Sequence, residues 1–229
     1  MNEPKFLLWD LPTRLFHWLL VCCVAAAILS GEIGGDLMDW HGRFGLSILG
    51  LLTFRTCWGL WGSSYARFAQ FVPTRASLKA YLDRDWNKPG HNPLGAVSVF
   101  ALLSVLVLQV STGLFSHDDI AFRGPWFNSV SPFISGILGE LHEALAGLLI
   151  GLVVLHIAAI AFYVRVRKEN LVQPMVTGWK TGNPHHSAQG GGWLRCLISI
   201  LIALGVVYGA SGEWRDAPPP SSSVSTPAW

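Results

Sequence analysis

Five long apolar stretches set the terms for this chain: about Leu15–Leu29, His41–Trp61, Leu94–Phe115, Leu141–Val164 and Trp193–Ala210. Each reads as a membrane-spanning helix, which needs roughly 20 apolar residues. Strict two-residue alternation is absent, so a β-barrel is not expected. Composition agrees. Of the 229 residues, 51% are apolar and 13% charged, against roughly 25% charged in soluble domains. That balance argues against disorder and against an ordinary soluble domain. A net charge of +2 gives no case for nucleic-acid binding. The start, Asn2-Glu3-Pro4-Lys5, and the lack of a small-residue cleavage site after the first stretch argue against a cleavable signal peptide.

Loop charges give an orientation. Lys5, Arg14, Arg67, Arg75, Lys79, Arg84, Lys88, Arg165, Arg167, Lys168, Lys180 and Arg195 all fall on one side. The other side has only Arg123 and Arg215, while Glu32, Asp36, Asp39, Asp118 and Asp119 collect there. The positive-inside rule then puts the N-terminus in the cytoplasm and the C-terminus outside. Cys22, Cys23, Cys57 and Cys196 form no CxxC or CxxCH, so neither a thiolate zinc motif nor a covalent c-type haem site is present.

Ionisable residues inside spanning helices suggest function, and four histidines qualify: His17, His41, His142 and His156. His142 and His156 lie fourteen residues apart on the fourth stretch. On a helix this is about 21 Å of rise, with the rotation returning to within roughly 40°. Both therefore point to the same side, one near each membrane face. His17 matches the depth of His156, and His41 that of His142. Two imidazole pairs suit two six-coordinate haems. A single tetrahedral zinc site would need all four at one depth. Taken singly, each histidine also fits a polar packing residue or an interfacial anchor, and a proton relay is a further use.

Arg55 follows His41 by fourteen residues and falls at the inner depth. A buried guanidinium needs an anion, such as a haem propionate; alternatively Arg55 snorkels to the surface. Arg43 is likewise placed for outer propionates. Gly147 and Gly151 either leave room for porphyrin edges or form a GxxxG packing motif. His91 precedes Asn92-Pro93, a helix-start signal, and either serves that cap or lines a quinone site. His117, His185 and His186 read as solvated. The outer loop Ser116–Leu138, with Trp126 and Phe127, is either a docking surface or an interfacial aromatic belt.

WDLPTRLFHW (Trp9–Trp18), HGRFG (His41–Gly45), ARF (Ala66–Phe68), GHNPLGA (Gly90–Ala96), TGLF with DD (Thr112–Asp119), LHE and LHIAAI around His142 and His156, and NLVQPMVTGWK (Asn170–Lys180) occur in order. Together they resemble the bacterial cytochrome b561 family, which includes the cytochrome b subunits of nickel–iron hydrogenases and related formate dehydrogenase membrane subunits. The resemblance implies an all-α integral membrane fold, a four-helix transmembrane bundle binding two non-covalent b haems, with a fifth transmembrane helix added. It places His17, His41, His142 and His156 at the family's axial-ligand positions. Residues 1–180 then form the haem-binding membrane domain, 181–211 the additional helix and 212–229 a disordered Pro/Ser-rich tail.

The function this implies is electron transport in the bacterial inner membrane, between a periplasmic redox partner and the quinone pool. The partner is a hydrogenase, another dehydrogenase or a c-type cytochrome. A stand-alone oxidoreductase that reduces quinone, with superoxide as one donor, is the alternative. A haem-free transporter or structural protein is the reading from another class. Homodimer formation stays open.

Overall fold

The computed structural model describes residues 4–118 and 122–215. Asn2 and Glu3, Asp119 and the Pro/Ser-rich tail from residue 216 onward lie outside the described residues. In chain order the elements are strand β1 (Lys5–Leu7), helices α1 (Leu11–Ile33), α2 (Met38–Trp61), α3 (Arg75–Leu82), α4 (Pro93–Gly113), α5 (Pro132–Arg165) and α6 (Val172–Thr177), strand β2 (Trp179–Thr181) and helix α7 (Trp193–Ser211). Helices α1, α2, α4, α5 and α7 are long and apolar enough to cross a membrane. The fold is all-α and multi-pass, as the apolar stretches predict.

Three spanning helices start the same way. Asp10, Asn92 and Ser131 accept hydrogen bonds from the backbone N–H groups of Thr13, Gly95 and Ile134. Pro12, Pro93 and Pro132 follow in the first turn, where a missing N–H costs nothing. The Ser131 cap starts α5 well before Leu141, where the apolar stretch alone suggested its start. At 34 residues the helix is about 51 Å long, so its first turns project beyond hydrocarbon about 30 Å thick.

The core joins four helices. Ala27 of α1, Ile48 and Leu52 of α2, Val105, Leu106 and Val110 of α4, and Leu145 and Leu149 of α5 are buried together. On the outside, Leu148, Leu155 and Leu201 are 51%, 65% and 58% exposed. Such a surface is tolerable where lipid is the solvent. Helix α7 packs on α2, where Trp61 Nε1 donates to Ser199 Oγ at 3.0 Å and Arg195 Nη1 donates to Trp61 O at 3.2 Å.

The basic end is closed by a clasp. β1 pairs antiparallel with β2, with Phe6 opposite Lys180. Phe6, Leu8 and Trp9 are buried against Tyr65 and Met175. Arg14 Nη1 donates to Val176 O at 2.6 Å, and Trp18 Nε1 to Met175 O at 3.2 Å. At the opposite end Trp126 Nε1 donates to Ala210 O at 2.9 Å, beneath the guanidinium of Arg215 at 3.8 Å. Phe127 packs edge-on against His117. Trp126 and Phe127 are thus half-buried and tie the outer loop together, where exposed aromatics were expected.

Candidate cofactor site

At the end of the bundle away from the clasp, called outer after the loop-charge expectation, α2 presents His41 and α5 presents His142, with ring centroids 6.0 Å apart and planes at 78°. His41 Nδ1 lies 2.8 Å from Ala27 O on α1. His142 Nδ1 lies 2.9 Å from Gln109 O and 3.2 Å from Thr112 Oγ1 on α4. Carbonyl oxygens only accept, so both Nδ1 atoms carry the proton and both Nε2 atoms are acceptors. The Gln109 side-chain nitrogen lies 3.1 Å from His142 Nε2.

Two glycines make this arrangement possible. A Cβ on Gly31 would stand 2.9 Å from His41 Nδ1, and one on Gly113 2.8 Å from His142 Cε1. The rings lie against α1 and α4 because those helices carry no side chain there. Around them is a cavity of about 620 Å³, within the range of cofactor pockets. Val24, Leu106, Val110 and Leu149 line its walls, and Glu32, Glu140 and Glu143 also border it. A gap of 6.0 Å between ring centres accommodates metal–imidazole bonds of about 2 Å on either side. The apolar cavity and the paired imidazoles fit a haem.

Toward the inner end are His17 on α1 and His156 on α5. His17 Nδ1 is buried without a hydrogen-bond partner. His156 Nδ1 is 3.5 Å from Ser98 Oγ, at the limit of a hydrogen bond. Arg55 lies just beside this layer, its guanidinium carbon 6.0 Å from the ring of Phe16, the residue before His17. It is only 3% exposed, so it does not snorkel to the surface. Its Nη1 donates to Ala66 O at 3.0 Å and its guanidinium stacks on Phe68 at 4.4 Å. Among the described residues it has no carboxylate ion-pair partner. A buried cation in that state fits an acidic group such as a propionate.

The other sequence-derived residues are placed as follows. Arg43 is exposed, its guanidinium carbon 4.9 Å from the Trp40 ring centre, and it is not among the residues that line the cavity. A Cβ on Gly147 or Gly151 would meet nothing within 4 Å, so neither is a close helix-packing point. His117 is half-buried and borders the outer cavity, where a solvated side chain was expected. His185 and His186 are exposed. Asn92 caps α4, as its sequence context suggested, while His91 stacks on Phe71 at 4.3 Å and Trp9 at 4.7 Å. Burial, with the nearby charge of Arg55, pushes the His91 pKa down to about 3. Gly31 and Gln109 are neighbours of the histidines that sequence reasoning did not single out, while Thr112 and Gly113 entered only as part of the TGLF motif, with no role assigned. The spacing from Gly113 to His142 crosses a loop, so no helical arithmetic links them.

Lipid-facing helices around a facing pair of intramembrane histidines at one end of the bundle, with His17 and His156 toward the other, define a polytopic helical membrane protein. The prokaryotic cytochrome b561 family profile matches residues 8–178, well over half the chain, and the chain belongs to that family. It is similar to a probable Ni/Fe-hydrogenase B-type cytochrome subunit of Azotobacter chroococcum mcd 1, at 22% identity over 78% of this chain and 90% of that one. It is also similar to a probable Ni/Fe-hydrogenase 1 B-type cytochrome subunit of Escherichia coli (strain K12), at 26% identity over 55% of this chain and 67% of that one. No solved structure matches. The protein is a membrane cytochrome b of electron transport, and its family implies b-type haem.

Proposed function

We propose that this chain carries electrons between a redox protein on its outer side and quinone in the bacterial inner membrane, through two b haems stacked along the membrane normal. The observation that carries this reading is the placement of two histidine pairs at opposite ends of one bundle, His41–His142 and His17–His156. When bound, the haems would supply one-electron ferrous–ferric cycling. His41 and His142 would hold the outer one and His17 and His156 the inner one. Arg55 would neutralise a propionate at the inner layer. The clasp of β1 and β2, rich in Lys and Arg nearby, would face the cytoplasm. The hydrogenase subunits among its relatives favour a hydrogenase as the outer partner.

Quinone would meet the chain at the inner layer. Leu52, Arg55, Thr56, Phe68, Phe100 and Ser104 line a groove of about 450 Å³ between α2 and α4. Val107 and Leu108 at its edge are 48% and 50% exposed, giving a lateral path from lipid. The Ser104 hydroxyl and a free N–H of the Arg55 guanidinium would donate to quinone oxygens, while Phe68 and Phe100 flank the ring. The test uses a quinol analogue with the His41→Ala protein. Rapid reduction at the inner layer is expected, with transfer to an outer acceptor lost. If quinol reduction disappears in His41→Ala but survives in His17→Ala, quinone reacts on the outer side and this path is wrong.

A further inference from the structure

Between α2 and α4, at the clasp end of the bundle, the exposed face of α3 mixes cations with an apolar side chain. At 100° per residue, Arg75, Lys79 and Leu82 fall within an arc of about 60°, and all three are exposed. Ser77, Leu78, Ala80 and Tyr81 occupy the rest of the helix and are half-buried. Leu82, 71% exposed, thus stands among the cations rather than on the packed side. Apolar and basic side chains share a face in this way at a membrane–water interface.

Tyr81 joins that helix to α5. Its hydroxyl bonds to the hydroxyl of Tyr163, in the last turn of α5, and Asn92 Nδ2 donates to the same Tyr163 oxygen at 3.0 Å. Arg165, Arg167 and Lys168 follow Tyr163 and are exposed, so two groups of cations meet at one junction. Phe162 and Val166 beside them are exposed as well. Among the described residues, Arg75, Lys79, Arg84, Arg165, Arg167 and Lys168 make no ion pair. Of the nearby acids, Glu169 is engaged by Lys180 at 2.8 Å. Asp83 and Asp85 are exposed and offset only part of the charge.

Backbone conformation marks the same junction. Arg84 and Lys168, just past the ends of α3 and α5, have φ of 66° and 57°, the only positive values outside glycine among the described residues. Glycine relaxes such a position, so the chain keeps a cation at both points where glycine would be easier. We propose that the junction of α3 and α5 binds the headgroup of an anionic phospholipid. Arg75, Lys79, Arg84, Arg165 and Lys168 surround the phosphate, and Leu82, Phe162 and Val166 meet the acyl chains. Guanidinium groups bind phosphate oxygens in pairs, and ammonium groups bind them as point charges. Clustered cations beside a membrane span suit such a headgroup, and the exposed apolar residues favour a lipid over free phosphate or an acidic protein. The site is independent of haem and quinone. It fastens α3, and through Tyr163 the ends of α4 and α5, to the membrane surface.

The test combines native mass spectrometry with thermal unfolding of the purified full-length protein in neutral detergent. Phosphatidylglycerol, phosphatidylcholine or inorganic phosphate is added. Phosphatidylglycerol should be retained and should raise the melting temperature, an effect that salt weakens, while the other two do neither. Arg75→Gln and Lys79→Gln should each weaken its binding about fivefold. Arg84→Gly and Lys168→Gly should weaken it as much, yet leave the melting temperature without lipid unchanged or higher, because glycine relaxes the backbone. That split separates loss of charge from loss of fold. Lys5→Gln removes an equal charge from an exposed position on the clasp and should leave binding unchanged. Equal retention of the two lipids, or an equal effect of Lys5→Gln, would overturn the site. Phosphate that stabilises as well as phosphatidylglycerol would overturn the lipid as its occupant.

Discussion

His41 and His142 face each other with ring centroids 6.0 Å apart, although they come from helices joined through two long connections. Each ring is held from behind by a carbonyl of a third or fourth helix, Ala27 on α1 or Gln109 on α4. That second bond fixes the tautomer and aims Nε2 inward, as metal-ligating histidines require. All four helices of the bundle contribute to the aim of the pair.

The glycines behind the rings are the most specific point of that arrangement. Gly113→Val would drive a side chain into the His142 ring, and Gly31→Val into that of His41. Overpacking of this kind costs about 1–3 kcal/mol. Each variant should lose the outer haem and keep the inner one, as read by absorbance and haem content. Full retention of both haems would mean that the rings have room to retreat.

Ligand pairing follows depth. His17→Ala and His156→Ala should each remove the inner haem and leave the outer one, while His41→Ala and His142→Ala should do the reverse. The layers are separated by about 21 Å along α5, so no mixed pair is reachable. Optical or electron paramagnetic resonance spectra showing His17→Ala and His142→Ala losing the same haem would contradict the topology.

Acid should weaken the inner end through His91. Its pKa is held at about 3, below the ordinary 6.5, by burial and then by the charge of Arg55. Between those values the unfolded chain binds a proton that the native chain does not. The contribution to stability is therefore complete above the ordinary pKa and declines as pH falls through the window, by at most about 1.4 kcal/mol per pH unit. His91→Phe keeps the stacking on Trp9 and Phe71 but cannot titrate. Its melting temperature in detergent should depend less steeply on pH over that window; an unchanged slope would assign the effect elsewhere.

The docking of α7 hangs on one buried hydroxyl. Ser199 is 0% exposed, accepts from Trp61 Nε1 and donates to Arg195 O at 2.8 Å. Ser199→Val leaves the indole N–H unpaired and should cost about 1–3 kcal/mol. Thermal unfolding should show the loss with haem content unchanged. Loss of haem as well would make α7 part of the cofactor-binding unit.

The spanning helices and the depth matching of the histidines were legible because both depend on local, periodic patterns. Apolar run length marks a span, and rise per residue converts the fourteen-residue spacing into height. What was not legible depends on contacts between remote segments. The clasp joins three residues at Lys5–Leu7 to three at Trp179–Thr181, too short for any period to show. Height alone placed Arg55 at the inner layer but left its direction open. Its burial is decided by Ala66 and Phe68, which fold back beneath it. The early start of α5 did have a local signal, Ser131 before Pro132, which the hydropathy of the later residues overshadowed. Gly147 and Gly151 drew attention by their spacing, whereas of the glycines that touch histidines Gly31 has no distinguishing local context and Gly113 entered only within the TGLF motif.

Haem per polypeptide, by pyridine haemochrome on the purified full-length chain, tests the central claim most directly. The proposed two histidine pairs, with no CxxCH, predict two b haems per chain, both extracted by acidic acetone. One haem per chain would show that one histidine pair is not a ligand set, and haem retained covalently would contradict the b-type assignment.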